Sequence, residues 1–403
     1  MEFIFTKKAK ITFSVLMLIG VIAMVYGFLH GGGDHGHDRF WANIFVNGFF
    51  FFAISLGALF FLALQYATEA SYMVALKRVI EGVSQFIFIG SGILIIFFAA
   101  GAFNLHHIYH WMDPMVYIEF LEDGSMNPEY DHIIAGKAAY LNQPFFWIRT
   151  LVYLGVWCYF ANLFRKRSLL EDSEGGTKIH FKNMTSAAIF LVFFAFTSST
   201  ASWDWIMSID THWFSTLFGW YVFSGIWVSA MIFLVLITIY LRGRGYLPKV
   251  NDSHIHDVGK WMFAISFLWT YLWFSQFMLI WYSDIPEEVT YYITRIEHYK
   301  WLFFGVFFTN FLFPMIILMA RDAKRSIGYL ITVGVIIFIG HWLDVFLMIT
   351  PGSLGHLEFG FMEIGMFLGF LGFFLYVVFN AFAKAPMTVK SHPFLDESEH
   401  LHI

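Results

Sequence analysis

Two ionisable residues, His341 and Asp344, lie inside an apolar run that hydrocarbon would surround. An ionisable side chain inside a bilayer is costly unless it is paired or hydrated, so each one needs a reason. Their i, i+3 spacing places both on one face of a helix. At 1.5 Å per residue they lie roughly 10–15 Å below the outer helix end near Pro351. The pair indicates a proton relay or a quinol contact, and a structural His–Asp tie between helices is the alternative.

Further acids, histidines and tryptophans lie near the ends of apolar runs that we expect on the same, outer side of the membrane. A quinol oxidation would release its protons on that side, so the set suggests two kinds of site. Candidates for a proton relay are Asp204, His341, Asp344, Glu363 and Asp284, with Glu69 in the inner half. Candidates for a quinone pocket are His106, His107, Trp203 and Trp342. For any single residue, solvation by headgroups and water is the alternative.

The inner half of the membrane is poorer in polar groups. The residues that accompany Glu69 there are Gln65, Tyr66, Glu81, Gln85, Asn162 and Asn310. A hydrated half-channel would use such residues. Snorkelling side chains at the interface and interhelical hydrogen bonds explain the same pattern without transport.

Ligands for a bound cofactor are scarce in the sequence. Cys158 is the single cysteine, which excludes an intrachain disulfide, a Cys-ligated iron–sulfur cluster and a CxxCH haem attachment. His106 and His110 have metal-like i, i+4 spacing, but both lie where a helix is expected to end, which disfavours a bis-His haem. Segment 34–38 carries two acids and two histidines beside glycines, which is weak evidence for a metal ion. We therefore predict no metal site and no covalently bound cofactor.

The composition indicates that a bilayer is the solvent of this chain. Of its 403 residues, 59% are hydrophobic, 21% are aromatic and only 13% are charged, too few to coat a soluble globule. Apolar runs of about 20 residues match the hydrocarbon thickness, and lipid requires a helical backbone. We predict an all-α polytopic membrane protein with about ten transmembrane helices, at 9–30, 40–67, 79–104, 143–165, 183–208, 212–241, 258–283, 296–320, 326–350 and 359–383.

The basic residues sort unevenly between alternate loops. Of the 24 Lys and Arg residues, 19 fall on the side of the N-terminus and the other 5 on the opposite side. Positive charge marks the cytoplasmic side, so both termini are predicted to be cytoplasmic. The net charge of −5 carries no nucleic-acid signal.

A faint internal repeat runs through the single membrane domain, 1–403. The segment Trp203-Asp204-Trp205 ends the fifth predicted helix, and Trp342-Leu343-Asp344 lies in the ninth. Helices two to five and six to nine also follow the same out-in-out-in course. This pattern predicts two four-helix bundles, 40–208 and 212–350, with helices one and ten peripheral. The outer loop 104–142 is predicted to be a docking cap, and the cytoplasmic tail 385–403 an extended contact arm.

Several segments resemble a known family. The stretch SWDWIMSIDTHWFSTLFG, residues 202–219, resembles the junction of helices five and six in NrfD/PsrC-like membrane subunits of alternative complex III, a quinol:cytochrome c oxidoreductase. Residues 39–43, 57–61 and 65–66 are similar to this family as well, and the likeness covers nearly the whole chain. The length, the ten helices and the short loop after helix one resemble the ActF type, often labelled quinone-binding subunit two.

The resemblance implies a complex of the bacterial inner membrane that oxidises menaquinol near the outer face. Electrons would pass through iron–sulfur clusters and c-type haems on separate subunits to a terminal oxidase, a division of labour that suits a chain with one cysteine. The implied partners are an NrfD-like sister subunit of ActC type, an iron–sulfur protein, c-type cytochrome subunits and lipids.

In that family the quinol site is implied to lie in the sister subunit. An ActF-type chain is implied to be a structural and proton-translocating partner that is not catalytic alone, with Asp204 and Asp344 as relay candidates and menaquinone as the candidate ligand. The alternatives are the quinol-binding ActC-type subunit itself, a secondary ion-coupled transporter and a haem b cytochrome subunit.

Overall fold

Ten helices long and apolar enough to cross a membrane lie in the part of the chain that the computed structural model describes, residues 2–30 and 37–402. We number them span 1 to span 10 in chain order: Lys7–His30, Asp38–Ala67, Ser71–Ala102, Gln143–Glu174, Lys178–Ile209, Leu217–Gly243, Asp252–Ser283, Lys300–Leu318, Ile327–Leu354 and Phe361–Ala383. The prediction of an all-α polytopic membrane protein with about ten membrane helices is confirmed.

The ends of the spans follow local signals. Asn142 accepts a hydrogen bond from Phe145 N at the start of span 4, and a capping box at Asn251 starts span 7. Span 4 runs nine residues beyond the predicted end at 165, because polar residues continue the helix past the apolar run. Span 8 begins at Lys300 rather than 296, because Pro286–His298 forms a separate helix.

Spans 2 and 6 form the centre of the structure. Span 2 is almost completely buried and packs along span 6. Spans 2 to 5 contact one another in a ring, and spans 6 to 9 form a second ring. Spans 2 and 9 also touch, so the two four-helix bundles share one extensive interface.

Spans 1 and 10 form a peripheral pair that meets the bundles mainly through span 10 and span 2. Their backbones touch through small residues. A Cβ atom at Gly369 would lie 2.5 Å from Gly20 Cα, and one at Gly365 would lie 2.5 Å from Ala23 Cβ. Small residues four positions apart on a helix let two membrane helices approach this closely. Most of span 1 is otherwise exposed, as expected of a helix that faces lipid.

The loop 104–142 lies at the end of the protein that is poor in Lys and Arg, which we predicted to be the outer one and call the outer end below. It folds into a cap over the adjoining span ends. Tyr109 donates a hydrogen bond to Trp205 O, and Lys137 Nζ donates to Thr211 O, each at 2.5 Å. Trp111 of this loop is buried. The loop is therefore ordered by contacts to span 5 and to the segment after it, and its role as a docking surface stays a prediction.

The tail, predicted to be an extended contact arm, makes its contacts with this same chain. Residues 385–402 pack against the basic-rich ends of both bundles. Ser398 Oγ accepts a hydrogen bond from Ala75 N at 3.1 Å, and Asn251 Nδ2 donates to Leu401 O at 2.8 Å. Apolar residues among the polar ones, such as Met387, are buried and hold the tail in place.

Candidate functional site

Asp344 lies in the interior of the second bundle and is 1% exposed. Tyr221 of span 6 donates a hydrogen bond to one carboxylate oxygen, and Trp269 Nε1 of span 7 donates to the other at 3.0 Å. His341 Nδ1 lies 4.0 Å from that second oxygen, so the spacing in the sequence does bring the pair together. Within the described residues, no Lys or Arg forms an ion pair with this carboxylate.

Two buried polar atoms near this carboxylate have no hydrogen-bond partner within residues 2–30 and 37–402, namely His341 Nε2 and Asn310 Nδ2. Asn310 lies in a π-helical turn of span 8, Phe308–Leu312, which Pro314 follows. Its Oδ1 occupies the place where a side chain at Gly340 would stand. Ordered water usually satisfies such atoms, and π-turns are frequent at functional sites.

Arg295 lies between this cluster and the outer end of the second bundle. Its guanidinium donates to Leu347 O at 3.1 Å, stacks on the Tyr291 ring at 3.2 Å and lies 3.4 Å from Asp210 Oδ2. Asp344 and Arg295 line a small cavity between the helices. The other residues that line it are Tyr221, Trp273, Gln276, Tyr291, Tyr292, Phe303, Leu347 and Met348. Polar groups thus continue from Asp344 to Asp210 at the outer surface.

Asp204, the counterpart of Asp344 in the repeat, has a different environment. Arg149 of span 4 donates to both of its carboxylate oxygens, through Nε and Nη2, each at 2.8 Å. Tyr153 OH lies 3.4 Å from the same carboxylate. Asp204 is fully buried, so it is one half of a closed ion pair.

Glu363 and Asp284 lie apart from the Asp344 cluster. Glu363 accepts bonds from Arg39 Nε at 2.9 Å, Asn43 Nδ2 at 3.0 Å and Gly360 N at 2.7 Å, so it ties span 10 to span 2. Asp284 is exposed and ends span 7 in a left-handed conformation, with φ of 48°. The structure therefore gives both acids positions at helix ends.

A wide cleft of about 950 Å³ opens at the outer end between the cap and helix Pro286–His298. His106, His107 and His110 all line it. His106 is buried, with Nε2 3.1 Å from Phe97 O, while His107 is exposed and donates its backbone N–H to Asp38 Oδ1.

Span 3 ends at Ala102, so His106 and His110 do not share a helix and their i, i+4 spacing has no geometric meaning. Burial lowers the pKa of His106 and favours its neutral form. Of the segment 34–38, residues 34–36 lie outside the described part of the chain.

The two tryptophans predicted for a quinone pocket are not part of the lining of this cleft. Trp342 donates from Nε1 to Asn47 Oδ1 at 3.0 Å and packs on Phe367 between spans 9, 2 and 10. Trp203 lies on span 5 and is half-buried, and its Nε1 has no partner among the described residues. Of the four residues predicted for a quinone pocket, His106 and His107 line this cleft together, and the two tryptophans lie elsewhere.

An ionic cluster lies at the opposite, basic-rich end of the first bundle. Lys77 Nζ binds Glu171 at 2.6 Å, and Glu81 accepts from Arg78 and Arg165 at 2.9 Å each. All of these side chains are buried or nearly so. Glu69 is exposed beside this cluster, 3.6 Å from His180 Nε2.

Within the described chain, one group of side chains has the spacing of metal ligands. Glu171, His180 and His392 come from span 4, span 5 and the tail, and one donor atom of each lies within 4.8 Å of the others. Lys77 already neutralises Glu171, and His392 Nδ1 accepts a hydrogen bond from Phe394 N at 3.2 Å. Both contacts disfavour a bound cation, and we assign no metal to this group.

The same surroundings keep His392 uncharged. Burial, followed by the positive charge of Lys77, lowers the pKa of His392 to about 2. The neutral imidazole packs edge-on against the ring of His180, with centroids 5.1 Å apart. The docked tail therefore requires a neutral side chain at this position.

Sequence reasoning missed the residues that distinguish the two aspartates, Arg149 and Arg295. Both are among the five basic residues on the side that is poor in positive charge. Arg149 lies within a membrane span, and a buried guanidinium needs an acidic partner. The position of Arg149 inside an apolar span was therefore the feature of the sequence that indicated an ion pair with an acid of the same bundle.

Neither a search of protein-family models nor a search of curated proteins finds a match to this sequence.

Proposed function

We propose that this protein is a proton-conducting membrane subunit of a quinol-oxidising respiratory complex, and that Asp344 transfers the proton in its second bundle. The complex is of the alternative complex III type, as the resemblance of residues 202–219 implies. It lies in the bacterial cytoplasmic membrane with both chain termini on the cytoplasmic side, as the distribution of Lys and Arg favours. Electron carriers and an NrfD-like sister subunit with the quinol site belong to its companions.

The observation that supports this proposal best is the contrast between Asp344 and Asp204. Arg149 holds Asp204 in a bidentate ion pair, which fixes its charge. Among the described residues, Asp344 accepts hydrogen bonds from the neutral donors Tyr221 and Trp269, and no Lys or Arg side chain pairs with it. A carboxyl group in that environment can both gain and lose a proton, as a relay requires.

The polar groups on either side of Asp344 suit a relay. His341 Nδ1 lies 4.0 Å from the carboxylate, its Nε2 has no hydrogen-bond partner within the described residues, and Arg295 and Asp210 continue towards the outer cleft. A proton leaving Asp344 in this direction would reach the side where a quinol oxidation releases its protons. The proposal assigns His341 and Asp344 to the relay and gives Asp204 and Glu363 structural roles.

A secondary transporter is a weaker candidate. It requires broken helices at corresponding positions of the two repeats. Span 3 is interrupted after Ser84 and span 8 has its π-turn at Phe308–Leu312, whereas the equivalents of these spans, spans 7 and 4, are continuous. The interruptions therefore do not correspond, which favours the respiratory assignment.

The test is Asp344→Asn in the assembled complex, reconstituted in proteoliposomes. Asn keeps the shape of the side chain but carries no transferable carboxyl proton. We expect the rate of quinol oxidation to fall by about 10²-fold, the lower end of the range for a positioned proton-transfer group, with assembly intact. The matched control is Asp252→Asn, an exposed aspartate whose surface ion pair with Arg242 contributes little.

Unchanged turnover and coupling in the Asp344→Asn complex would assign Asp344 a structural role and overturn the relay. The respiratory assignment has its own test, because affinity purification of the tagged chain from its native membrane should retain haem- and iron–sulfur-bearing companions. Isolation of the chain without any such companion would overturn that part.

A further inference from the structure

A long apolar groove runs along the membrane-facing side of the protein, where the peripheral pair meets the second bundle. Its volume is about 960 Å³, and its walls come from spans 1, 6, 9 and 10. The apolar lining includes Phe233, Leu236, Val335, Ile339, Leu371 and Leu375. Val335 and Ile339 are both 43% exposed, so this wall is open to whatever surrounds the protein in the bilayer.

The groove changes character towards the basic-rich end of the protein. Lys8, at the start of span 1, and Arg244, just after span 6, line it there together with the hydroxyl of Thr6. Both basic side chains are exposed, and neither forms an ion pair with any described residue. One end of the groove is thus cationic and hydrogen-bonding, and the remainder is apolar.

The length of the groove matches one leaflet of a bilayer. On span 6 it extends from Arg244 back to Phe233, which is about 16 Å at 1.5 Å per residue. On span 10 it extends from Phe379 to Phe367, about 18 Å. Half of a hydrocarbon core is about 15 Å thick, so the cationic end lies at the level of the lipid phosphates.

We propose that this groove is a binding site for an anionic phospholipid, whose acyl chains lie along the apolar wall and whose phosphate is bound by Lys8 and Arg244. Guanidinium and ammonium groups are the side chains that recognise phosphate, and the negative charge distinguishes this ligand from a zwitterionic lipid. Bound there, the lipid fills the gap between the peripheral pair and spans 6 and 9.

Binding is measured by native mass spectrometry of the full chain, with its co-purifying companions, titrated with phosphatidylglycerol or phosphatidylcholine. Wild type should prefer phosphatidylglycerol. Lys8→Gln with Arg244→Gln should weaken that binding by about 25-fold, about fivefold for each cation, and weaken the binding of phosphatidylcholine less. The matched control, Lys178→Gln with Lys182→Gln, removes two exposed lysines from the same end of the protein outside the groove and should retain the preference.

Equal affinity for both lipids in wild type, or an equal loss in the control, would overturn the proposal. A second pair of variants locates the acyl chains. Ile339→Trp fills the groove and should weaken lipid binding, whereas Ile316→Trp, at a 68% exposed position outside it, should not.

A photoreactive amino acid at Ile339 identifies the occupant in native membranes. A cross-link to phospholipid supports the proposal. A cross-link to another polypeptide, or to a neutral isoprenoid lipid whose capture persists in the Lys8 and Arg244 variant, would overturn it.

Discussion

The two aspartates that occupy equivalent places in the repeat should respond differently to the same substitution. Asp204→Asn removes both the counterion and the bidentate acceptor of Arg149, which is only 9% exposed. Removing one partner of a buried ion pair costs about 3–5 kcal/mol. Tyr140 O and the rings of Tyr140 and Phe145, within 4.1 Å of the guanidinium carbon, still stabilise the cation. We therefore expect the free energy of unfolding to fall by about 3 kcal/mol, the lower end of that range.

Asp344→Asn should cost less. The amide oxygen still accepts from Tyr221, but the NH2 group that replaces the second oxygen cannot accept from Trp269, so one hydrogen bond is lost. A lost bond to a buried group costs about 1–3 kcal/mol, and the removal of an unpaired buried charge offsets part of that cost. The expected net loss is about 1 kcal/mol, the smallest value in the range for one lost bond.

The measurement is unfolding by SDS titration in mixed micelles, followed through the fluorescence of the 15 tryptophans. A third variant, Arg149→Met with Asp204→Leu, removes both charges and should recover most of the stability that Asp204→Asn loses, because a buried pair replaced by apolar residues is often neutral. An Asp204→Asn protein as stable as Asp344→Asn, or no recovery in the double variant, would refute this account of the two sites.

Two further predictions concern the periphery. Gly369→Leu should separate span 1 from span 10, because the new side chain meets the Gly20 backbone, and should lower the free energy of unfolding by about 1–3 kcal/mol. The control is Gly92→Leu, where a Cβ atom meets nothing within 4 Å. It should be close to neutral in the same SDS titration. Docking of the tail should weaken as the pH falls below about 6.5, because an undocked His392 binds a proton there that the docked form, with its pKa of about 2, does not. Lower hydrogen-exchange protection factors of residues 390–400 at lower pH, after correction for the intrinsic exchange rate at each pH, measure this change, and His392→Phe should abolish the dependence.

Much of the fold was predictable from the sequence. Hydrophobic runs located all ten spans, because a helix in lipid must be both long and apolar. The Trp–Asp pattern and the common course of helices two to five and six to nine predicted the two rings of helices. The span ends were less predictable, since polar residues end some helices but continue others. Residues 166–174, for example, are mostly polar and still belong to span 4.

The tail and the site were harder to predict because their contacts join distant parts of the chain. Asp204 and Arg149 lie 55 residues apart, and Asp344 and Tyr221 lie 123 apart, so spacing along one helix says nothing of them. The His341 and Asp344 pair was predictable, since both residues lie on one helix. The tail looked polar and extended, and only its burial against both bundles distinguishes it from a free arm.

The position of the tail has a consequence for the order in which the chain matures. Residues 385–402 follow all ten described spans along the chain, and they contact Ala75 near the start of span 3 and Asn251 near the start of span 7. Both bundles are already inserted when the tail emerges, so it can bind only after they have come together. A docked tail therefore marks a chain in which the two bundles have come together.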